Sequence, residues 1–314
     1  MLFDHRIASD RGADFVALAP DGAETILHIA PAFAGRPVVG DWAAVDDGAR
    51  VVAVAPRRGV LARARRDRGG TAQPIAANLD VVFVVTAPGR DFSPSRVERY
   101  LVAIAGGGVR AVVVLNKCDL AGDPAALVAA LDAVSRDVPV VAISAEFGHG
   151  CAALDAFVVA GTTLALVGSS GVGKSTLANR LLGADRFATR ATRASDGRGV
   201  HTSTRRELVA LPAGAWLVDT PGMRAFAPWS DEAALDDVFA DVAGAATRCR
   251  FRDCAHAREP GCAVRDEVDA DRRERWRVLR AELAYLERRD DPVALALEKR
   301  RWKSIAKAQR NAYR

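Results

Sequence analysis

The chain has 314 residues, of which 50% are hydrophobic and 26% charged. This size allows two or three domains, and the composition is typical of a soluble globular protein. No apolar run reaches the roughly 20 residues that a membrane helix requires, and the first residues lack a secretory signal, so we expect a cytoplasmic protein without membrane contact. Five cysteines, three of them clustered, indicate a metal site in a reducing compartment and argue against a disulfide framework.

The formal net charge of +5 is distributed unevenly along the chain. Residues 299–314 carry seven basic side chains and no acidic one, and a second basic cluster occupies residues 57–68. Two local basic patches on a nearly neutral body favour docking on a polyanion. A solvated face and a frayed terminus would explain the same pattern equally well.

Residues 1–70 show short alternating strand patterns at 15–18, 25–29 and 51–54, separated by turn signals. Several short strands without a helical period predict a small all-β barrel, and a barrel of the oligonucleotide-binding type is the natural choice.

Residues 71–230 alternate between buried strands and helices, which predicts a mostly parallel sheet covered on both faces. The expected strands are 79–86, 109–115, 139–143, 164–167 and 216–218, and the expected helices are 94–105, 124–134 and 174–182. Residues 231–314 are helical and charged, with candidate helices at 272–289 and 293–309. We therefore expect three domains, at 1–70, 71–230 and 231–314.

A glycine-rich phosphate loop follows the strand 164–167 and opens a helix, which is the context that this motif requires. Its backbone N–H groups converge on phosphate oxygens at the positive end of the helix. We expect Lys174 to bridge the β- and γ-phosphates and Ser175 to ligate Mg²⁺. The residues expected to bind nucleotide here are Gly168, Ser169, Ser170, Gly171, Val172, Gly173, Lys174, Ser175 and Thr176.

A base-reading motif follows the strand 109–115, at the strand end where open α/β sheets bind ligands. The carboxylate of Asp119 can accept hydrogen bonds from the N1–H and the 2-amino group of guanine, and adenine offers neither in that arrangement. Asn116 is expected to tie the loop together, and Lys117 to lay its stem over the purine. One strand later come Ser144 and Ala145, and the Ala145 N–H is expected to donate to the guanine carbonyl.

A third phosphate-proximal motif, residues 219–222, ends the strand 216–218. Asp219 is expected to hold Mg²⁺ through water, and the N–H of Gly222 to meet the γ-phosphate. The polar segment 189–204 has few apolar anchors and indicates a mobile switch. Either Thr202 or Thr204 should complete the Mg²⁺ shell when GTP is bound.

Met223 stands where many GTPases place a glutamine that orients the attacking water. A thioether cannot orient water, so slow intrinsic hydrolysis is expected unless another group substitutes. His201, in the switch segment, is the candidate catalytic residue because its side chain can titrate near neutrality. A solvated loop histidine is an equally good interpretation.

The order of these motifs is unusual, because the base-reading motif precedes the phosphate loop instead of following it. The pattern predicts a circularly permuted guanine-nucleotide-binding domain. The segment after Asp219 then leads directly into the C-terminal part, so the nucleotide-sensing elements are connected to whatever that part does.

A cluster of three cysteines and one histidine falls within residues 249–262. Three thiolates and an imidazole make a full tetrahedral Zn²⁺ shell without an open position, which predicts a structural and not a catalytic metal. Buried free cysteines are the alternative. The expected ligands are Cys249, Cys254, His256 and Cys262.

With these motifs the sequence resembles the circularly permuted ribosome-assembly GTPases, specifically the small-ribosomal-subunit-dependent GTPase (RsgA/YjeQ) family. Further segments that carry the resemblance are 39–42, 73–80, 201–208 and 253–262, so it covers nearly the whole chain. A departure is Ser203, in a switch that is often all threonine, and it leaves the Mg²⁺-ligating threonine open.

The resemblance implies a multidomain fold with an N-terminal oligonucleotide-binding barrel, a permuted P-loop GTPase core and a mostly helical C-terminal zinc domain. The implied cofactors are GTP or GDP, Mg²⁺ and one structural Zn²⁺. The implied partners are the small ribosomal subunit and its 16S rRNA late in maturation, with hydrolysis stimulated by that subunit. We expect a monomer.

Two other functions are compatible with parts of the pattern. The chain could be an RNA-binding scaffold in which GTP is structural, and turnover stimulated by ribosomal subunits separates this reading from the GTPase. It could also be an ATP-using P-loop kinase, against which Asp119 argues, and competition between GTP and ATP tests that reading.

Overall fold

The computed structural model describes residues 2–63, 72–90, 92–187, 206–219 and 231–290, with side chains described up to residue 286. It divides into two compact units, one formed by Met1–Ala62 with Pro74–Pro228 and the other by Arg63–Gln73 with Trp229–Arg314. The switch segment 189–204, the second C-terminal helix expected at 293–309 and the basic tail at 299–314 lie outside the described residues.

The N-terminal strands form a closed five-stranded barrel. They are β1 (His5–Asp10), β2 (Phe15–Leu18), β3 (Glu24–Ile29), β4 (Trp42–Val45) and β5 (Arg50–Val54). Their order is β1-β2-β3-β5-β4, and β4 returns to pair with β1, so this barrel has no free edge. Only β3 and β5 run parallel. Its interior is filled by fully buried side chains, among them Ile7, Phe15 and Leu27.

The barrel confirms the all-β prediction, although the alternation in the sequence marks only β2, β3 and β5. The strands β1 and β4 read HRIASD and WAAV, and their alanines and polar residues give no clear apolar period. Their strand conformation depends on pairing with each other and with their neighbours.

The segments 39–42 and 73–80 meet where the barrel joins the next sheet. Gly40 has φ of 92°, and a Cβ there would lie 2.1 Å from the carbonyl oxygen of Ala77, so no larger residue fits. The Asn78 amide donates to the Gly40 carbonyl oxygen at 2.8 Å and accepts from the Arg58 N–H at 3.0 Å. These two segments, which carry part of the family resemblance, therefore contact each other at this junction.

Arg57, the first residue of the basic cluster at 57–68, is engaged inside the protein. Its Nε and Nη2 donate to the two carboxylate oxygens of Asp41 at 2.8 Å each, and Asp41 is completely buried. Such a bidentate ion pair fixes the position of Arg57 relative to Asp41 and occupies two of the guanidinium's nitrogen atoms. The paired carboxylate offsets the charge of Arg57, which therefore adds less to a basic docking surface than its place in the sequence suggests.

The second set of strands forms the predicted mostly parallel sheet. Strands β8 (Val81–Thr86), β9 (Arg110–Leu115), β10 (Val140–Ala142), β11 (Thr163–Val167) and β13 (Trp216–Asp219) run parallel in the order β10-β9-β8-β11-β13, and β12 (Glu207–Ala210) is antiparallel to β13. The connecting helices are α1 (Pro94–Ala105), α2 (Pro124–Ser135) and α3 (Lys174–Leu182). A separate two-stranded sheet pairs β6 (Leu61–Arg63) with β7 (Gln73–Ala76).

The barrel and the parallel sheet are continuous, because β1 pairs with β12 through Ser9 and Glu207. Beside this pairing, the buried guanidinium of Arg6 lies between the rings of Trp42 and Trp216, 5.3 and 5.5 Å from their centroids. Desolvation lowers the pKa of Arg6, opposed by the charge of Asp80. Nothing in the local sequence pattern indicates this junction.

The second compact unit is mostly helical, as expected, with α4 (Glu232–Val238), α5 (Ala240–Ala246), α6 (Ala263–Glu267) and α7 (Ala270–Asp290). Arg272 is buried over the ring of Phe239, 4.1 Å from its centroid, and pairs with Asp241 at 3.1 Å. Over the described residues, no helix combines the length and apolarity needed to cross a membrane.

Candidate nucleotide and metal sites

The predicted nucleotide motifs come together at the carboxyl edge of the parallel sheet, and one side chain connects two of them. Asn116, which follows β9, is 1% exposed. Its Nδ2 donates to the carbonyl oxygen of Val172 at 2.9 Å, and its Oδ1 accepts from the N–H of Ala145 at 2.9 Å. A single buried amide thus fixes the phosphate loop against the loop that follows β10.

The N–H of Ala145, expected to meet the guanine carbonyl, is already engaged with Asn116 in this structure. It must share or exchange that bond to serve the base. Ser144, beside it, is fully buried, and its N–H donates to the His149 carbonyl oxygen at 2.9 Å. The loop is therefore a turn closed by its own backbone hydrogen bond and by the contact with Asn116.

Lys117 adopts a left-handed conformation with φ of 60°, and its Nζ donates to the Gly171 carbonyl oxygen at 2.7 Å. At Gly173, where φ is 93°, a Cβ would lie 2.2 Å from the Asn116 Nδ2. The glycine is required because the base-reading motif lies directly on the phosphate loop. Asp119 is exposed in the short helical turn Cys118–Leu120, where a ligand can reach its carboxylate.

Lys174 closes the phosphate loop, because its Nζ donates to the carbonyl oxygens of Gly168 at 2.8 Å and Ser169 at 2.6 Å. These bonds hold the ammonium within the loop at the N-terminus of α3, where anionic oxygens are favoured. Gly168, with φ of 142°, could not carry a Cβ, which would lie 2.1 Å from the Val85 carbonyl oxygen.

Asp219 ends β13 at the same edge of the sheet. Its pKa is raised to about 6, mainly by burial and also by the nearby charge of Glu207, while the charge of Arg186 opposes the shift. A carboxylate that is costly to ionise in these surroundings gains from a cation beside it. This environment is compatible with the predicted role of Asp219 at Mg²⁺, and Ser175, the other predicted ligand among the described residues, lies at the start of α3. The other residues assigned to this part of the site lie outside the described residues: Thr202, Thr204, Gly222, His201 and Met223.

In the second unit, the four predicted zinc ligands form one cluster whose ligand atoms lie within 4.8 Å of one another. The Nδ1 of His256 is 3.5 Å from the Sγ of Cys249 and 3.5 Å from that of Cys262. Tetrahedral zinc with Zn–S of about 2.3 Å and Zn–N of about 2.0–2.1 Å requires an N···S separation of about 3.5 Å. The donor set and its spacing therefore both fit Zn²⁺.

Hydrogen bonds and charges around these ligands shape their loop and the chemistry of the imidazole. The Glu259 carboxylate accepts backbone N–H bonds from Ala255, Ala257 and Arg258 at 2.9–3.1 Å. Its own backbone N–H is the largest cause of its lowered pKa, and these three bonds lower the pKa further. Burial lowers the pKa of His256, and the charge of Arg280 lowers it further. The charge of Glu259 opposes this shift, and the net lowering favours the neutral imidazole, which is the form that metals bind.

Two arginines contact the nucleotide motifs without belonging to any of them. Arg96, in the first turns of α1, donates through Nη1 to the Ser169 Oγ at 2.6 Å. Arg180, in the last turn of α3, donates to the carbonyl oxygens of Ala145 and Glu146. Sequence reasoning missed both residues, because each acts across elements that only the fold brings together.

Comparison with known proteins gives consistent matches. A family model described as RsgA GTPase matches residues 54–229, and one described as 50S ribosome-binding GTPase matches residues 163–299. A curated relative from Opitutus terrae, named small ribosomal subunit biogenesis GTPase RsgA, is 44% identical over 304 residues, covering 91% of this chain and 83% of the relative. A relative of the same name from Xylella fastidiosa strain M23 is 50% identical over 234 residues, covering 74% of this chain and 70% of the relative.

Two solved structures share the fold. YjeQ from Thermotoga maritima aligns with a TM-score of 0.66 at 24% identity, covering 89% of this chain and 98% of YjeQ. YloQ, described as a circularly permuted GTPase, aligns with a TM-score of 0.60 at 20% identity, covering 89% of this chain and 94% of YloQ. The predicted fold class, a barrel followed by a permuted GTPase and a helical part with a cysteine–histidine cluster, is confirmed.

Proposed function

The chain belongs to the RsgA GTPase family, and from this membership we propose that it hydrolyses GTP during late maturation of the small ribosomal subunit. Its relatives carry the name of small ribosomal subunit biogenesis GTPases. The observation that carries the proposal for this chain is the double hydrogen bond of Asn116, which holds the phosphate loop and the loop after β10 at one edge of the sheet.

In the proposed site, guanine lies against Lys117 and is read by Asp119, and the phosphates lie in the loop 168–176. Lys174, already held at the loop carbonyls, would stabilise charge on the β- and γ-phosphates. Ser175 and Asp219 would hold Mg²⁺ together with Thr202 or Thr204. The metal would neutralise charge on the phosphates, and these residues would fix the position of the metal.

Hydrolysis is proposed to be slow without a partner, because Met223 cannot orient water. His201 is the proposed catalytic residue, brought into position when the small subunit binds. Loss of the γ-phosphate would then release the contacts that order the switch and Gly222, and the protein would leave the subunit.

The cysteine–histidine cluster is proposed to bind one Zn²⁺ that stabilises the C-terminal part. Supporting this role, the four ligands leave no position open for substrate. The proposed domains remain 1–70, 71–230 and 231–314, in a cytoplasmic monomer that contacts 16S rRNA. The barrel and the tail 299–314 are the proposed rRNA-binding parts.

Sedimentation with purified ribosomal subunits tests the proposal. The chain should pellet with small subunits in the presence of a non-hydrolysable GTP analogue and dissociate in GDP. Large subunits are the necessary comparison, since one matching family model is described by its binding to 50S. Preferential binding to large subunits would contradict the proposal. Binding to small subunits that is identical in both nucleotides would favour an RNA-binding scaffold in which GTP is structural.

A further inference from the structure

Arg180 connects the phosphate-loop helix to the loop after β10. Its Nε donates to the Ala145 carbonyl oxygen at 3.0 Å, and its Nη2 donates to the Glu146 carbonyl oxygen at 2.7 Å. Gly148 lies close to the guanidinium, since a Cβ at this glycine would be 3.1 Å from Nη1. One side chain therefore holds two successive carbonyl groups of this loop from the side of α3.

The peptide that joins Ala145 to Glu146 is oriented by this contact. A planar trans peptide directs its C=O and its N–H to opposite sides. With the Ala145 carbonyl held by Arg180, the N–H of Glu146 is turned away from α3. The N–H of Ala145 is fixed separately, by the Oδ1 of Asn116 at 2.9 Å. Two side chains thus determine the direction of two adjacent N–H donors.

The direction of these donors matters for the choice of base. Guanine presents a carbonyl oxygen at position 6, which accepts a hydrogen bond, whereas adenine presents an amino group there, which donates. A backbone N–H aimed at this position therefore discriminates between the two bases. Discrimination is lost if the peptide rotates, because the same peptide also carries an acceptor.

We propose that Arg180 is a positioning residue for guanine selection, holding the 145–146 peptide so that the loop presents an N–H donor to the 6-oxo group of the base. The inference rests on the proposed nucleotide site, in which Asp119 reads the N1–H and the 2-amino group. Two parts of the protein then read two different edges of guanine, and nucleotide analogues can test them separately.

The test measures displacement of a fluorescent GDP derivative from the full-length protein by three competitors. GDP carries both groups, IDP lacks the 2-amino group, and 6-thio-GDP replaces the carbonyl oxygen by sulfur, a weaker acceptor. Arg180→Ala should lower GDP affinity about three- to tenfold. It should bring the ratio of GDP to 6-thio-GDP affinity toward one and leave the ratio of GDP to IDP affinity unchanged.

Two further variants calibrate this result. Arg180→Lys retains an ammonium that can donate to one of the two carbonyls, so its 6-thio-GDP ratio should lie between those of the wild type and Arg180→Ala. Arg50→Ala removes an equivalent charge from an exposed pair with Asp46 on the barrel, at 2.9 Å, and should change neither ratio. Thermal unfolding of each variant shows that the comparison is made on folded protein.

An equal loss of affinity for all three competitors in Arg180→Ala would overturn the proposal, because it would show a general structural contact. The proposal would also be overturned if Arg180→Ala and Arg180→Lys both kept the wild-type ratio of GDP to 6-thio-GDP affinity. Asp119→Asn separates this failure from failure of the site itself. If it changes the IDP ratio while Arg180→Ala leaves the 6-thio-GDP ratio intact, only the role of Arg180 is wrong. If Asp119→Asn changes nothing, the proposed base site is wrong too.

Discussion

The cysteine–histidine cluster and the nucleotide site bring their binding residues together in opposite ways. The four predicted metal ligands lie within residues 249–262, and their ligand atoms lie within 4.8 Å of one another. The nucleotide motifs are spread over residues 116–219 and meet only because parallel strands end at one edge of a sheet. In the first site, the proposed zinc would compensate the crowded thiols, whereas the loops of the second site are held together by hydrogen bonds of the protein itself. Loss of a ligand should therefore be all-or-none in the zinc cluster and graded in the nucleotide site.

Cys262→Ala should produce the largest effect. Cys262 is fully buried, and structural zinc contributes roughly 10–16 kcal/mol in small zinc domains. We expect the zinc content to fall from one ion per chain to none, with loss of cooperative unfolding of the C-terminal unit. Elemental analysis and thermal unfolding measure these effects. Cys151→Ala, outside the cluster, is the matched control and should keep its zinc. Full zinc occupancy in Cys262→Ala would refute the all-or-none character of this site.

Lys174→Ala should weaken GDP binding about 100-fold or more, since each hydrogen bond to a charged group contributes about 1.5–3 kcal/mol. The ammonium braces two loop carbonyls in addition to its proposed role at the phosphates. Titration with a fluorescent GDP derivative measures the loss, with Arg50→Ala as the charge-matched control. Unchanged affinity would show that the phosphates bind elsewhere.

Asn116→Ala should weaken GDP binding by about 30- to 100-fold and lower the midpoint of thermal unfolding. Each buried group left without its partner costs about 1–3 kcal/mol, and this change leaves the Ala145 N–H and the Val172 carbonyl in that state. In Asn116→Asp the carboxylate can still accept from Ala145 but cannot donate to Val172, so its affinity should be intermediate. If both variants bind GDP like the wild type, the loops do not depend on this bridge.

The contact between Arg96 and Ser169 should have the smallest effect, a loss of GTP affinity of a few-fold in Arg96→Ala. The Arg96 Nη1 donates to the Ser169 Oγ at 2.6 Å and so supports the phosphate loop from α1. A double-mutant cycle with Ser169→Ala should give a coupling energy of about 1 kcal/mol. Purely additive effects in the cycle would mean that the two side chains do not stabilise each other in solution.

The same contrast explains what could be predicted from the sequence. The zinc ligands and the helices Pro94–Ala105 and Lys174–Leu182 follow from local spacing and periodicity, and the structure has these helices at the predicted bounds. The strands β1 and β4, the pairing of β1 with β12 and the buried Arg6 depend on partners distant in the chain. Local patterns carry no information about such partners.

In the nucleotide site, the sequence motifs identify the backbone segments and charged side chains expected to bind the nucleotide. They do not identify the side chains that hold these loops in position. Arg180 and Arg96 reach the motifs from α3 and α1, and neither belongs to a recognisable spacing. Arg57 shows the reverse case, in which a residue that looked like part of a basic surface is bound to a buried carboxylate. A cluster of basic residues in a sequence is a poor predictor of a basic surface when the acidic partners of those residues lie far away in the sequence.

The most direct test of the proposed function is the rate of GTP hydrolysis by the pure protein, measured alone, with small ribosomal subunits and with large ones. We predict slow turnover that rises many-fold with small subunits only, and that falls back to the unstimulated rate in His201→Ala. Equal rates with and without small subunits would contradict the account of a GTPase that its ribosomal partner activates.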